Sequence, residues 1–477
     1  MSLKKNIFYN VFLTTGLYIT QLITYPYVTR VLGVTNIGIY NFVNSFVNFF
    51  ILISSLGILT LGTREIAKCN ENKIKLNQCF SKLFILLLTF TLLTLLVYIG
   101  CILYIPNLRK YSTLLYIGAF HILFNTFTVE WFFRGVEDFK YITYRTFLIR
   151  ILYVILVFIF IKDETHYIRY YAISVLVVFL NAAINWTYAT KIVKFVKVSF
   201  VEILQYLRPF IGLGIQLILL SYYRTINPII LGFTSNDTEV GYYTTAIKLS
   251  LIILLVYNAY TMVMLPRVSS LVSKNNTESA NNLITNSFKL LYLFAIPLII
   301  LTQIFAPEIV YIIAGSGYEG VIFPMRICLC MILIGGISQI LINQVLIPQN
   351  LEKGVLISAI VGVSLGICLN LYMMPILKSI GASFTWIISE LIIIIGSTIY
   401  AKKHLHEFSL HIKILLKYLF FFCPVYALAF LKGLGDNIIL ETLIILLSTL
   451  TYMHIGLKYL LKDSFYMKIT DKILKQL

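Results

Sequence analysis

The feature that most constrains this chain is its succession of long apolar stretches, each about 20 residues long and able to cross a bilayer as a helix. About fourteen such stretches follow one another, joined by short polar loops. Inside hydrocarbon the backbone must satisfy its own hydrogen bonds, and runs of this length do so as helices. The sequence therefore predicts an all-α polytopic membrane protein. The predicted helices are 7–29, 37–60, 82–105, 112–133, 142–161, 167–189, 209–232, 241–264, 287–313, 321–346, 354–376, 380–401, 414–432 and 437–458.

Composition supports the same class. Hydrophobic residues make up 59% of the 477 residues and charged residues only 12%, whereas a soluble domain carries about 25% charge. No loop is large enough to form a separate soluble domain, and the longest lie near 62–81 and 265–286. The seven cysteines show no metal-ligand spacing, so we expect no metal site.

The net charge of +18 reflects topology. If the N-terminus is cytoplasmic, most of the 38 Lys and Arg residues fall in segments on the cytoplasmic side, as the positive-inside rule requires. The sequence therefore predicts that both termini are cytoplasmic. Nucleic-acid binding is not expected.

A weak internal repeat predicts the architecture. Pro26 and Gly33 find counterparts in Pro228 and Gly232, roughly 200 residues later and after an even number of helices. Two parallel six-helix lobes around a central cavity would follow, with two additional C-terminal helices. The predicted segments are an N-lobe at 1–190, an amphipathic cytoplasmic linker at 191–208, a C-lobe at 209–402, and helices 13–14 with a basic tail at 403–477.

The first repeat unit contains a predicted hinge. Pro26 lacks a backbone donor near the end of the first apolar run. Gly33 and Gly38 follow, and glycine permits the backbone conformations of a tight reversal. We therefore expect the chain to turn sharply between the first two helices.

Three cations are predicted to converge on the outer part of the cavity. Arg224 lies deep in the seventh predicted helix, Lys248 in the eighth, and Arg30 at the outer end of the first. Charged side chains inside a membrane usually face a cavity or a partner, so this group predicts a pocket for an anion. Snorkelling of Arg30 and Lys248 to the headgroups is the alternative. Neighbouring groups suited to sugars are Tyr25, Tyr27, Tyr222, Tyr223 and Asn227.

Three other residues are candidates for coupling transport to H+ or Na+. Glu130 lies at the inner end of the fourth predicted helix, His121 in the same helix, and Glu390 midway along the twelfth. Glu130 and Arg134 are spaced i,i+4, so a structural ion pair is the alternative for Glu130.

Motifs of catalysis are absent from the sequence. It contains no Gly-x-Ser-x-Gly elbow, no Walker loop and no His-Glu-x-x-His. We therefore expect neither enzymatic activity nor a cofactor.

Three motifs resemble those of bacterial polysaccharide flippases, within the multidrug/oligosaccharidyl-lipid/polysaccharide exporter superfamily. They are Tyr27-Val-Thr-Arg-Val-Leu-Gly33 with Gly38-Ile-Tyr40, Leu61-Gly-Thr-Arg-Glu-Ile-Ala-Lys68, and Glu130-Trp-Phe-Phe-Arg-Gly-Val-Glu-Asp-Phe-Lys-Tyr-Ile-Thr143. Arg134 stands where that family usually has Gln. Asn227 precedes Pro228 at a place where relatives often carry Asp, which argues against cation coupling there.

The resemblance implies a function. A flippase of this kind would move an oligosaccharide repeat unit, linked to undecaprenyl pyrophosphate, from the cytoplasmic to the outer leaflet by alternating access. Its partners would be that lipid-linked oligosaccharide, membrane lipids and, as candidates, a polysaccharide polymerase and chain-length machinery. The alternatives are a multidrug exporter, a flippase for the peptidoglycan lipid precursor and, from another class, a membrane polymerase or ligase. The last would need a large outward-facing catalytic loop.

Overall fold

A computed structural model describes residues 3–405, 410–432, 438–461 and 465–467. These residues form helices joined by short turns, and no strand occurs among them. The α-helices, in chain order, are α1 Leu3–Ser55, α2 Ile58–Cys69, α3 Lys73–Tyr104, α4 Ser112–Phe127, α5 Glu130–Gly135, α6 Phe139–Phe160, α7 Tyr167–Ile192, α8 Phe200–Leu204, α9 Leu207–Leu220, α10 Tyr222–Thr234, α11 Asp237–Ser273, α12 Thr277–Ile304, α13 Ala306–Ala314, α14 Ile322–Leu329, α15 Met331–Ile340, α16 Glu352–His404, α17 Ile412–Phe422 and α18 Ile438–Ile455. The predicted all-α membrane fold is confirmed.

Ten helical segments within the described ranges are long and apolar enough to cross a membrane. Two of the helices in these segments, α1 and α16, each run through most of two predicted helices, because the helical hydrogen-bond pattern continues across a kink. The predicted count of about fourteen, the lobe layout and the segment boundaries are not confirmed and stay predictions.

The kinks fall where turns were expected. Within α1 the backbone leaves helical geometry at Gly33, with φ 72° and ψ 167°, a conformation that a residue with a Cβ adopts only under strain. Within α16 the same happens at Lys378, with φ 51° and ψ −128°. The hinge predicted from Pro26, Gly33 and Gly38 is therefore present, and Gly33 is its pivot.

The described chain divides into two compact units, each made of several segments. The first unit comprises residues 1–245, 310–321 and 369–382. The second comprises residues 246–309, 322–368 and 383–477. The sequence order alone does not show this division, because α11, α13 and α16 each contribute residues to both units.

In the first unit, aromatic rings pack where α2, α3, α5 and α7 meet. Phe80 stacks on Trp131 with ring centroids 5.5 Å apart, and Phe84 lies 4.7 Å from Trp186. The Trp131 ring can pack closely on α2 because Gly62 has no side chain, and a Cβ there would lie 2.6 Å from the ring. Two of the sequence motifs, 61–68 and 130–143, are thus neighbours that fix α5 against α2.

In the second unit, α12 packs against α15 and α17. Gly336 on α15 lets the helices approach, because a Cβ there would lie 2.3 Å from a Leu291 methyl group. At one end of this unit, Lys432 and Glu308 form an ion pair of 2.7 Å. Cys328 donates to the Ser383 hydroxyl at 3.4 Å, and neither side chain is exposed.

Candidate functional site: two polar clusters within the first unit

The structure places the predicted binding residues in three groups. Those described in the first unit are Tyr25, Tyr27 and Arg30 on α1, and Tyr222 and Asn227 on α10. Lys248 lies on α11 in the second unit and is partly buried. The side chains of Tyr223 and Arg224 lie outside the described residues. The predicted convergence of Arg30, Arg224 and Lys248 therefore stays a prediction.

Asn227 belongs to a network of neutral polar side chains from α10, α11 and α16. Its amide nitrogen donates to the Tyr243 hydroxyl at 2.8 Å, and its amide oxygen accepts from Asn370 at 2.8 Å. Asn370 also donates to the Tyr222 hydroxyl. All four side chains are fully buried. In this conformation two predicted binding residues, Asn227 and Tyr222, hold three helices together.

Two more neutral pairs connect both halves of α1 to α11. The hydroxyl of Tyr25 lies 2.7 Å from that of Thr245, and the Asn41 amide donates to the Thr244 hydroxyl at 2.8 Å. The backbones are in close contact between these pairs, because a Cβ built on Gly38 would lie only 1.7 Å from the Asp237 carbonyl oxygen. We call these pairs, together with Tyr222, Asn227, Tyr243 and Asn370, the neutral network.

Arg30 has a structural role at the end of α13. Its guanidinium donates to the Ile312 carbonyl, and the neighbouring Thr29 hydroxyl lies 3.4 Å from the Ile313 carbonyl. These are among the last carbonyls of α13, which have no intrahelical donor and carry the negative end of the helix dipole. The Arg30 side chain is nevertheless exposed. Tyr27 donates to the Ile161 carbonyl at 2.6 Å.

A charged cluster lies where α5, α6 and α7 meet, and it joins the predicted pair of Glu130 and Arg134 to residues that were not predicted. Its centre is Arg145, whose side chain is only 3% exposed and lies about 9 Å along α6 from Phe139, at 1.5 Å per residue. One guanidinium nitrogen donates to Glu130 at 3.2 Å and another to the Asn185 amide oxygen. The sequence does contain an indication of this buried arginine, because Arg145 and Arg150 interrupt the predicted apolar stretch 142–161.

The local backbone explains how Glu130 reaches Arg145. α4 ends at Phe127, Val129 adopts a left-handed conformation with φ 39°, and α5 begins at Glu130. Asn185 donates to the Thr128 carbonyl in this break, which gives an otherwise unpaired backbone group a partner. The break thus turns Glu130 toward α6 and ties it to α7.

Arg134 and Arg150 complete the charged cluster. Arg134 lies 3.8 Å from Glu130, so the predicted i,i+4 ion pair is present. Arg150 lies on the same helix as Arg145 and is partly buried. Two guanidinium groups, those of Arg134 and Arg145, contact the Glu130 carboxylate, while the nearby Asp138 caps α6 and accepts from Tyr188 at 3.1 Å. We call Glu130, Arg134, Arg145, Arg150 and Asn185 the charged cluster.

The other two ion-coupling candidates belong to different units. His121 is on α4 in the first unit, and its Nδ1 is buried without a hydrogen-bond partner among the described residues. Glu390 is on α16 in the second unit and is partly buried. A role of Glu130, His121 or Glu390 in ion coupling stays a prediction.

A family profile described as "Polysaccharide biosynthesis protein" matches residues 3–272, more than half of the chain. The chain belongs to this family. It is 25% identical over 399 residues to the "Putative O-antigen transporter" of Escherichia coli (strain K12), covering 82% of this chain and 95% of that one. A protein of the same name from Shigella dysenteriae is 26% identical over 257 residues, covering 52% and 62%.

A solved structure shows the fold. The lipid II flippase MurJ, in its inward closed conformation, superposes with a TM-score of 0.74 over 94% of this chain and 100% of that one. At 13% identity the likeness concerns the fold alone. The polysaccharide biosynthesis family member described here is thus a multi-pass membrane protein with a MurJ-like fold. Its relatives are named as transporters rather than enzymes, which agrees with the absence of catalytic motifs.

Proposed function

We propose that this chain is a flippase for a lipid-linked oligosaccharide used in surface polysaccharide assembly. The observation that carries the proposal is the family match over residues 3–272, in a chain whose fold is built of membrane-spanning helices. The relative that covers 82% of this chain is named "Putative O-antigen transporter". The cargo would be an oligosaccharide repeat unit on undecaprenyl pyrophosphate, moved from the cytoplasmic to the outer leaflet.

The chemistry of such a cargo fits what the helices carry. A pyrophosphate group needs fixed cations, which are expensive in a membrane and usually mark a transport path. Arg145 is such a cation in the described structure, and the predicted pocket of Arg30, Arg224 and Lys248 would supply others. Sugars need hydroxyl and amide partners. The polyprenyl tail needs only lipid.

We further propose that transport proceeds by alternating access in a bacterial cytoplasmic membrane with both termini cytoplasmic. Repeat-containing transporters commonly expose a midplane site first to one side and then to the other. Coupling to H+ or Na+ through Glu130, His121 or Glu390, and cooperation with a polymerase and chain-length machinery, belong to this proposal.

Deletion of the gene tests the function. The proposal expects loss of the surface polymer and accumulation of the complete repeat unit on its lipid carrier, both reversed by the gene on a plasmid. Normal polymer together with new sensitivity to cationic dyes would contradict it and would favour a multidrug exporter.

A further inference from the structure

The charged cluster has a cation that its protein partners do not fully satisfy. A guanidinium has five N–H donors, and those of Arg145 reach Glu130, Asn185 and the Thr146 hydroxyl. Its Nε is buried and has no hydrogen-bond partner among the described residues. A buried donor without a partner costs about 1–3 kcal/mol. The site is therefore short of acceptors.

The single carboxylate of the cluster is held loosely. Glu130 is 41% exposed, whereas the Arg145 side chain that it contacts is 3% exposed. Its two contacts, at 3.2 Å to Arg145 and 3.8 Å to Arg134, are longer than the 2.7–2.9 Å of a strong charge-assisted hydrogen bond. Glu130 can therefore leave while the guanidinium stays in place.

The guanidinium, in contrast, is fixed. Asn185 is fully buried, accepts from both Arg145 and Tyr141, and donates to the Thr128 carbonyl. The Tyr141 ring lies 5.8 Å from the Arg145 guanidinium carbon. A pre-positioned binding group loses little freedom when a ligand arrives.

We propose that the charged cluster is an anion-exchange site, in which Glu130 is the resident counter-ion and the diphosphate of the cargo takes its place. The inference rests on the proposed function, because it assigns the residues that meet that cargo. Arginine suits the role, since its planar fork matches phosphate oxygens. A diphosphate carries more charge than one carboxylate and offers acceptors to Arg134 and Arg145 together. Displacement requires only that Glu130, already 41% exposed, moves away from Arg145.

Inorganic pyrophosphate is the probe for this exchange. The full-length chain in phosphatidylcholine nanodiscs would be titrated while tryptophan fluorescence is followed. Two of the three tryptophans adjoin the site in sequence, Trp131 after Glu130 and Trp186 after Asn185, and Trp386→Phe removes the third. Equilibrium dialysis with labelled pyrophosphate provides an independent readout. A saturable response is expected, and a chain that binds no pyrophosphate by either method overturns the proposal.

The direction in which Glu130→Gln changes the affinity for pyrophosphate distinguishes an exchange site from a structural ion pair. Glu130→Gln removes the competing charge, so pyrophosphate should bind about tenfold more tightly than to the parent chain. The double variant Glu130→Gln/Arg145→Gln leaves no buried unpaired charge and should bind at least about tenfold more weakly than Glu130→Gln. Unchanged or weaker binding by Glu130→Gln contradicts the proposal. Arg169→Gln, which removes an exposed arginine on α7, should bind as the parent does.

Phosphate groups also occur on membrane lipids, so a second titration tests whether the site binds lipid headgroups instead. Repeating the titration in nanodiscs that contain phosphatidylglycerol should leave the Kd for pyrophosphate unchanged. If phosphatidylglycerol competes, the site binds headgroups and its assignment to the cargo is wrong.

The failure of this site and the failure of the proposed function are distinguishable in cells. If the double variant restores surface polymer to a deletion strain as well as the parent does, the exchange site is wrong and the flippase stands. If the deletion strain makes normal polymer, the flippase is wrong, and the assignment of the site to a cargo diphosphate fails with it.

Discussion

The neutral network and the charged cluster solve the same problem, polar side chains within membrane-spanning helices, in opposite ways. The neutral network joins fully buried groups such as Asn227, Asn370 and Tyr243, which donate to and accept from one another. The charged cluster pairs a buried Arg145 with Glu130, whose side chain is 41% exposed. The neutral network is buried and its side chains bond to one another, whereas the charged cluster contains an exposed carboxylate that can move away from Arg145.

This contrast separates polar residues that hold helices together from a residue that is suited to bind an anion. Hydrogen bonds between helices in a membrane contribute only about 0.6 kcal/mol each on average, so the neutral network stabilises one helix arrangement without fixing it irreversibly. A buried guanidinium always needs an anion. Arg145 needs an anion, and its present partner Glu130 is accessible. It is therefore better suited to bind a diphosphate than Asn227, whose amide is already bonded to its neighbours.

The largest effect should come from crowding the helix contact beside the neutral network. Gly38→Ala would place a methyl group 1.7 Å from the Asp237 carbonyl oxygen and 3.0 Å from the Gly241 nitrogen. Both are backbone atoms, so α1 and α11 would have to separate, at about 3 kcal/mol or more. The yield of monodisperse protein and its Tm in detergent should fall. Gly100→Ala on α3, where nothing lies within 4 Å, should leave both unchanged, and equal losses would contradict the tight contact.

A smaller loss, of about 1.5 kcal/mol, is expected for Glu130→Gln, because Arg145 loses a charged hydrogen-bond partner. This loss should be recoverable. Pyrophosphate should raise the Tm of the variant more than that of the parent, since a ligand that binds only the folded state stabilises it. If pyrophosphate leaves the Tm of the variant unchanged, Glu130 has no exchangeable role.

Asn227→Leu tests the neutral network directly. It removes hydrogen bonds to Tyr243 and Asn370 and should cost about 1 kcal/mol, without altering the Kd for pyrophosphate. Asn181→Leu is the matched control, because the Asn181 amide donates within its own helix, to the Val177 carbonyl. A weaker Kd in Asn227→Leu would show instead that the predicted pocket around Asn227 meets the anion.

The smallest effect on stability is expected for Arg134→Gln, which introduces the residue that resembling flippases usually have. Its ion pair with Glu130 joins two side chains that are 44% and 41% exposed, so the loss should be at most about 0.5 kcal/mol. The Kd for pyrophosphate should nevertheless weaken a few-fold, because one of the two cations that contact Glu130 is gone. Unchanged binding would remove Arg134 from the site.

The sequence was sufficient for features that depend on local chemistry. Apolar runs predict membrane helices because every turn within hydrocarbon must bond internally, and the hinge at Gly33 follows from the freedom of glycine. The i,i+4 spacing of Glu130 and Arg134 likewise predicts their ion pair. Each of these depends only on residues close together in the chain.

What the sequence could not supply are contacts between distant segments. Nothing near Asn227 indicates that its partner is Asn370, on another helix. Arg145 illustrates a second limit, because hydropathy identifies a membrane helix but not the face on which a charge lies. Whether Arg145 points to headgroups or into the protein depends on how α5 and α7 pack against α6, and the hydrophobicity of α6 does not contain that information.

The most direct test of the central claim is the leaflet on which the lipid-linked oligosaccharide lies. In spheroplasts of wild-type and deletion strains, an impermeant lectin added outside would report the accessible fraction of the repeat unit. The deletion strain should accumulate the complete unit with almost none of it accessible to the lectin, and the plasmid-borne gene should restore access. An equal accessible fraction in both strains would contradict the claim that this chain moves the unit across the membrane.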